Sequence, residues 1–367
     1  MDERKGAMED LGIGPSPSFW RGKRVLVTGH SGFIGSWLSL ALIEMGAKVT
    51  GLSLPPPTTP SHFEAVGLSS QLDHHLCDLR DAAATAEVLA AARPELVFHL
   101  AAQALVRQAF ADPATTFATN VIGTVNLLEA IRQGGSVSTM VAFTTDKVYA
   151  NREWCWPYRE TDALGGREPY GSSKAACEHV LEAYRHSYFA GPDRVVGMAA
   201  IRAGNVIGGG DWAADRLIPD AVRAFASGAI LEIRNPHSVR PWQHVLEPVG
   251  AAMLLAERLA ADRPAAEGGW NIGPDDEDTC PVSRIADLLA TSWKGDAKWT
   301  AVGGQGPYEA SRLILDSHKF QQAFGWRRRW SLPRAVDETG RWYRGYYRGE
   351  QAAALSRKQI ESYFDGR

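Results

Sequence analysis

Cysteine is scarce in this chain. Its four copies, Cys77, Cys155, Cys177 and Cys280, are scattered, with no CxxC pair. That spacing argues against a disulfide framework or a cysteine zinc site and points to a reducing, cytoplasmic setting. No apolar run approaches the roughly 20 residues of a membrane span, and the histidines show no metal-ligand spacing, so neither membrane nor metal is expected. Charge of one sign is lacking too. A net charge of -3 provides no basic field to draw the chain onto nucleic acid. The arginine run Arg327-Arg328-Arg329, between Trp326 and Trp330, reads as a solvated face. Residues 1–18, MDERKGAMEDLGIGPSPS, lack the apolar core of a secretion signal; they read as a disordered tail, or in part as a remnant of cloning.

What the chain does have is an ordinary globular balance, 45% hydrophobic and 22% charged, over a length sufficient for one large or two modest cores. From Phe19 the pattern is rhythmic. Strands are expected at Lys23–Thr28, Ala47–Leu54, Asp73–Leu79, Glu95–Ala102 and Ser138–Thr145. Helices are expected at Gly35–Met45, Asp81–Ala92, a long segment from about Pro113, and Tyr170–Phe189. Strands apolar on both faces, alternating with helices, indicate a doubly wound α/β fold with a parallel sheet covered on each side. After Arg194–Arg202 the rhythm loosens. Gly208-Gly209-Gly210 reads as a flexible loop, followed by helices at Leu217–Ser227 and Leu246–Ala260 and a short strand near Trp270. The expected organisation is a dinucleotide-binding domain over 19–202 and, over 203–367, a smaller mixed α/β substrate-binding lobe with elements returning to the sheet.

The first strand runs into Thr28-Gly29-His30-Ser31-Gly32-Phe33-Ile34-Gly35. Glycines at 29, 32 and 35 permit a tight turn, close backbone approach to a ligand and close packing of the next helix. The N-terminus of that helix offers N–H groups and a positive dipole end to a pyrophosphate. The end of the second strand, near Ser53, is where an acid would grip the adenosine ribose. No carboxylate or arginine lies between Lys48 and His62, so the residues leave NAD and NADP open. Asp78 is a candidate for the adenine amino group, or a residue of the following helix's N-cap region.

Tyr170 and Lys174 are spaced i, i+4 in PYGSSKAACEHVL, which puts both on one helical face. An ammonium beside a phenol favours phenolate, lowering a pKa that starts near 10. Such a tyrosine takes a proton from an alcohol as hydride leaves the same carbon. The stretch AFTTDKVY places Thr145 beside the acid and amine Asp146-Lys147.

The TGxxGxxG turn, the YxxxK pair, Thr145 after a fifth strand, HLAAQ (99–103) and TNVIGTVNLLEA (119–130) together resemble the extended short-chain dehydrogenase/reductase superfamily. GSWLSL, PPPTTPSHFEAVGL, TTDKVYANREW, GNVIGGGDWAADRLIPD, RPWQHVLEP and YEASRLILDSHKFQQAFGW narrow the resemblance to its CDP-glucose 4,6-dehydratases. The resemblance covers roughly Phe19 to Gly366. It implies a Rossmann-type sheet, NAD recycled within each turnover and a CDP-hexose substrate. Thr145, Tyr170 and Lys174 would form the hydride-transfer trio. Gly29, Ser31, Gly32, Phe33, Ile34, Gly35, Ser53, Asp78, Leu79, Leu100, Ala101, Ala102, Gln103 and Asn120 would lie along the cofactor with Tyr170 and Lys174. Arg240 would face the substrate pyrophosphate, with Asn205, Arg216 and Glu309 as further substrate contacts. Trp212 and Trp242 are core or lid residues, the core being favoured.

By the same resemblance the glucose C4 is oxidised, water leaves across C5 and C6, and hydride returns to C6. Asp146 would be the acid at C6. Lys147 stands where related dTDP-glucose dehydratases have a glutamate base, and would either take the C5 proton or stabilise the enolate. Ile34, Val148 and Ala150 depart from the usual residues of the pattern. A homodimer or dimer of dimers, paired through the Tyr170 helix and the long helix before strand five, is implied too. The alternatives are a 4-epimerase or reductase, a dehydratase of another nucleotide hexose, or a noncatalytic dinucleotide-binding scaffold.

Overall fold

Short runs of Val, Leu and Phe separated by helices bury both faces of every strand most readily as a parallel sheet. The computed structural model describes residues 14–191, 194–275, 278–303 and 310–365. Its first half alternates Arg24–Thr28 (β1), Phe33–Glu44 (α1), Lys48–Ser53 (β2), Asp73–Leu76 (β3), Ala82–Ala92 (α2), Leu96–His99 (β4), Gly123–Gly134 (α3), Thr139–Phe143 (β5), Pro169–Tyr188 (α4) and Gly197–Ala203 (β6). The second half continues with Asn205–Ile207 (β7), Leu217–Ala226 (α5), Leu231–Ile233 (β8), Val239–His244 (β9), Leu246–Ala261 (α6), Gly268–Ile272 (β10) and Thr279–Pro281 (β11). Val282–Trp293 (α7), Trp299–Ala301 (β12), Leu332–Tyr347 (α8) and Ala352–Phe364 (α9) complete it.

Seven strands form one parallel sheet in the order β10-β6-β5-β4-β1-β2-β3. The order reverses between β1 and β4, so a crevice opens at the carboxyl ends of those two strands, where doubly wound sheets bind ligands. The second half adds a three-stranded sheet, β11-β9-β7, and the pair β8-β12. It also contributes β10, which pairs with β6 in register Trp270↔Ile201 and Asn271↔Arg202.

Helix α1 is buried almost all round, from Gly35 to Leu42, because it lies between the sheet and helices α6 and α9. A helix apolar on every side is stable only in such a place. Helix α6 is buried along nearly its whole length, with Glu247 and Glu257 inside. Burial pushes both carboxyls up to about 7. Glu247 accepts from the Arg329 and Trp330 backbone N–H groups at 3.1 and 2.9 Å and from the Tyr363 hydroxyl at 2.7 Å, tying α6 to the carboxyl-terminal helix.

Several expectations from sequence change here. The long helix from Pro113 is present as one continuous helical stretch to Gly134, its α-helical bonding interrupted by one π-helical turn over Ala118–Ile122 between Pro113–Phe117 and α3. The interruption sits where the buried Asn120 side chain bonds Gln103 and Ser173. The triple glycine is a packed turn rather than a flexible loop, and all three residues are buried. A Cβ on Gly209 would lie 2.1 Å from the Trp342 ring, and one on Gly210 would lie 2.6 Å from His62. The glycines are there for close packing. The arginine run is not a solvated face. Arg328 pairs with Asp278 and Asp275, and Arg329 donates to the Tyr363 and Phe364 carbonyls, leaving Arg327 as the exposed member. Trp212 and Trp242 are core residues, 7% and 5% exposed, with Trp212 packed on Trp342, Tyr343 and Tyr346.

Candidate active site

Strand β5 stops at Phe143, two residues before the expected end. The chain leaves the sheet, and Thr145 becomes the N-cap of a single 3₁₀ turn, Asp146–Val148, its hydroxyl accepting from the Lys147 N–H at 3.4 Å. The acid and amine are therefore carried on a capped turn beyond the strand. Asp146 is 1% exposed. Its Oδ1 accepts from the Thr145 hydroxyl at 3.0 Å and from Lys147 Nζ at 3.4 Å. Its Oδ2 is buried without a partner among the described residues. A buried carboxyl oxygen is costly unless something bonds it, so this atom is set for a hydrogen-bonding partner from outside the chain. Lys147 keeps about a third of its side chain exposed, 32%.

Helix α4 brings the tyrosine to this turn. Pro169 opens the helix at a position where a missing N–H costs nothing. Glu168 is its N-cap, with the carboxylate accepting from the Tyr170 and Gly171 N–H groups, both at 2.7 Å. Gly171 lets the helix abut the turn, since a Cβ there would lie 2.6 Å from the Lys147 carbonyl oxygen. Tyr170 and Lys174 are both buried. Burial lifts the Tyr170 phenol to about 12; Thr145 and Arg216 pull it down, while Asp146 and Glu168 push it up. The expectation that Lys174 lowers the phenol is not met in this geometry. Burial dominates, and Lys174 Nζ donates to the Phe143 carbonyl at 2.9 Å. Burial also lowers the pKa of Lys174 itself, against the Cys177 and Glu178 charges.

At the crevice, Gly29 has φ +74°, and a Cβ on it would lie 2.6 Å from the Ala101 nitrogen. A Cβ on Gly35 would lie 2.2 Å from the Gly29 oxygen. Only glycine fits either place, which holds the turn close to the end of β4. Gly32 caps α1 without a side-chain bond to the first N–H groups, so Phe33 and Ile34 present a helix N-terminus suited to phosphate. Ser31 donates to the Leu54 carbonyl at 2.8 Å. Ser53, closing β2, is 4% exposed and its hydroxyl has no partner among the described residues. An orphaned hydroxyl at the end of the second strand fits a dinucleotide ribose where the usual acid is missing. Asp78 is held by the Arg80 N–H and guanidinium at 2.5 to 3.1 Å, and Asp81 rather than Asp78 caps α2. Leu79 packs against the face of Gly123.

Leu100 to Gln103 follow β4 along the same crevice. The Leu100 N–H donates to the Thr28 carbonyl at 3.0 Å and the Ala101 N–H to the Thr28 hydroxyl at 3.3 Å; Ala102 is half-buried beside them. Asn120 accepts from the Gln103 N–H at 2.8 Å and donates to the Gln103 carbonyl and Ser173 hydroxyl, fastening this segment to α4.

On the other side, Arg216 donates to Asp211 at 2.9 Å and its charge acts on Tyr170. Asn205 stands on β7 with its Oδ1 buried and unpartnered among the described residues. Arg240, 4% exposed, donates to the Val239 carbonyl at 2.9 Å and to the Ala310 carbonyl. Glu309 lies outside the described residues.

Three features escaped the sequence reading. Glu168 was legible as an acid before Pro169 at a helix start. His99 bridges the Thr28 and Thr124 hydroxyls at 2.7 and 2.9 Å, and burial holds it neutral with a pKa of about 3. Glu178 extends the Tyr170–Lys174 face by one more i+4 step and meets Arg202 of β6, a partner that spacing alone does not identify.

Comparison with known proteins agrees with this geometry. The sequence profile described as GDP-mannose 4,6 dehydratase matches residues 26–339. The chain is 47% identical over 349 residues to the CDP-glucose 4,6-dehydratase of Salmonella typhimurium, covering 94% of this chain and 97% of that one. Among solved structures it is similar to a double mutant of the dTDP-glucose 4,6-dehydratase DesIV of Streptomyces venezuelae with bound NAD. There the TM-score is 0.76 and the identity 25%, covering 90% of this chain and 99% of that one. A UDP-glucose 4-epimerase of Thermus thermophilus in complex with NAD gives a TM-score of 0.76 at 26% identity, over 88% and 99% of the two chains. The agreement spans both halves of the molecule and takes in every element that builds the crevice, and so the chain belongs to the GDP-mannose 4,6 dehydratase family.

Proposed function

We propose that this protein is a CDP-glucose 4,6-dehydratase that uses NAD, forming CDP-4-keto-6-deoxyglucose. The observation that carries the reading is Asp146, a fully buried acid with one oxygen committed to Thr145 and Lys147 and the other unpartnered among the described residues. A 4-epimerase on the same fold leaves the C6 hydroxyl in place and has no need of such a group. The near-full-length 47% identity to a CDP-glucose dehydratase supports the substrate.

The glycine turn, the free start of α1 and the Ser53 hydroxyl suit NAD, with Leu79, Leu100–Gln103 and Asn120 forming or supporting the wall beside it. Bound there, NAD would supply the hydride acceptor for C4 and, reduced, the hydride donor for C6. Tyr170 takes the proton from the sugar 4-hydroxyl as its phenolate, which the positive charge of bound NAD would favour against the burial that holds the phenol up, while Thr145 bonds that oxygen. The 4-ketone acidifies C5. Lys147 receives the C5 proton or stabilises the enolate by its charge, and Asp146 Oδ2 protonates the departing C6 oxygen. Arg240 and Arg216, with Asn205, serve the nucleotide and its diphosphate, and the resemblance assigns Glu309, outside the described residues, to a ribose hydroxyl.

Phe110, Phe117 and Ile122, exposed at 40%, 38% and 52% ahead of α3, and Tyr188 at the end of α4 suit a homodimer through these helices; light scattering on the eluted protein tests the state. The cysteines are free among the described residues, and no described helix is long and apolar enough to cross a membrane, which suits the reducing cytoplasm.

The functional test is incubation with NAD and CDP-, dTDP-, GDP- or UDP-glucose in deuterated water, followed by NMR. A 4-keto-6-deoxy sugar labelled at C5, from CDP-glucose alone, is expected. A galactose-configured product without loss of water sinks the proposal, and another preferred nucleotide corrects the substrate.

A further inference from the structure

The segment that carries Thr145, Asp146 and Lys147 is anchored on both sides by one buried ion pair. Glu178 and Arg202 are 8% and 5% exposed. Arg202 Nε donates to both Glu178 oxygens, at 2.9 and 3.0 Å, and a second guanidinium nitrogen donates to Glu178 as well. Just before the catalytic turn, the Thr144 hydroxyl donates to Glu178 Oε1 at 2.7 Å. Just after it, the Tyr149 hydroxyl accepts from Arg202 Nη1 at 2.8 Å and donates to Asn271 Oδ1 at 2.7 Å. Tyr149 is 1% exposed and stacked on Tyr158, with ring centroids 5.1 Å apart.

Glu178 belongs to α4, one step beyond Lys174 on the Tyr170 face; Arg202 belongs to β6 and Asn271 to β10. The helix that holds the tyrosine and the turn that holds the acid and amine are thus referenced to the same two charges. A buried ion pair is weak evidence of stabilisation in itself, since desolvation offsets most of the attraction. What this pair adds is geometry. A bidentate guanidinium–carboxylate fork has a fixed orientation, and here each member has a further bond, to opposite ends of the segment 144–149.

We infer that the Glu178–Arg202 pair, acting through Thr144 and Tyr149, positions Asp146 and Lys147 relative to Tyr170, and so governs elimination at C5 and C6 more than oxidation at C4. This rests on the dehydratase reading, and Thr144, Tyr149, Glu178 and Arg202 are positioning residues that touch no reacting atom.

With little change in volume, Thr144→Val removes the hydroxyl that bonds Glu178 and, at 3.2 Å, the Ile201 carbonyl, and Tyr149→Phe removes the one that bonds Arg202 and Asn271; Thr144→Ser restores the Thr144 hydroxyl. The protein without substrate is examined first, by amide hydrogen exchange and mass spectrometry. Exchange over residues 145–148 is expected to quicken in Thr144→Val and Tyr149→Phe, to match the parent in Thr144→Ser, and to stay unchanged in the rest of the sheet. Parental exchange over 145–148 in both variants, or quickening spread through the sheet, overturns the inference.

The NAD-loaded protein is then mixed rapidly with CDP-glucose and nicotinamide absorbance followed. The reduced form is expected to build up at the parental rate in both variants and to decay at least about tenfold more slowly. That is within the roughly hundredfold cost that a misplacement of 1 Å carries. A merely structural loss reduces the amplitude and leaves both rates alone, which also overturns the inference, as does equal slowing of the two phases. If the parent yields no 6-deoxy product, it is the dehydratase reading that fails, and the exchange result still decides whether the clamp exists.

Discussion

In the proposed reaction Asp146 and Tyr170 divide the chemistry between an acid with one oxygen unpartnered among the described residues and a phenol that burial raises to about 12. Their replacements are expected to fail differently. Tyr170→Phe removes the proton acceptor at C4, so oxidation and every later step fall together, by about 10²–10⁴-fold, the usual worth of a positioned acid or base. Asp146→Asn keeps the bonds to Thr145 and Lys147 that an amide can still make and loses the proton for C6, so the 4-ketone forms while 6-deoxy product falls by a similar factor. NMR of the products separates the two outcomes; equal loss of both in Asp146→Asn contradicts the assignment. At this scale the sequence was highly legible where chemistry is local. The i, i+4 pair and the glycine turn are set by backbone geometry within a few residues. Lys174 was misjudged because its effect on the phenol depends on burial and on the Phe143 carbonyl, neither of which spacing contains.

Helix α6 shows what burial does to an element. Glu247 is pushed up to about 7, from an ordinary value of about 4.5, by burial, with Trp330, Tyr363 and Arg329 pulling the other way. A carboxyl raised in the fold contributes its stability below the unfolded value, and that contribution is lost as pH rises from about 4.5 through about 7. Glu247→Gln keeps an acceptor for the two N–H groups and cannot ionise. The parent should therefore lose about 2–3 kcal/mol relative to the variant between pH 4.5 and 8, read as diverging denaturant midpoints. Parallel midpoints would mean that the carboxyl is solvated. The triple glycine gives a second test. Gly209→Ala drives a methyl into the Trp342 ring, 2.1 Å away, at an expected cost of about 1–3 kcal/mol, measurable in the same assay. Element types and order were legible because period and length decide them. The packing of Gly208–Gly210 was not, because the rings that fill that space come from residues 62 and 342.

Across the whole molecule, four buried histidines are kept neutral by burial. His62, His99 and His244 sit at about 3 and His30 at about 4. Each is depressed below its ordinary 6.5, so its contribution is present above about pH 6.5 and lost as pH falls toward those values. Their combined depression outweighs the opposing rise of Glu247 and Glu257, and stability should fall steadily between pH 6.5 and 4; thermal midpoints that stay level over that range would contradict it. The parallel sheet itself was legible from apolar runs, whereas the ion pairs of Arg328 and Arg202 were not, since their partners lie far off along the chain. The seventh strand of that sheet, β10, comes from the second half and seats Asn271 beside Arg202. A gene cut after residue 202 would therefore part β6 from its neighbour and Tyr149 from one of its bonds. Neither fragment is expected to be soluble alone, and co-expression should restore activity by complementation. Exchange of the second half between relatives would likewise carry one edge of the partner's sheet along with it, so such chimaeras should work only when that strand travels with its own β6.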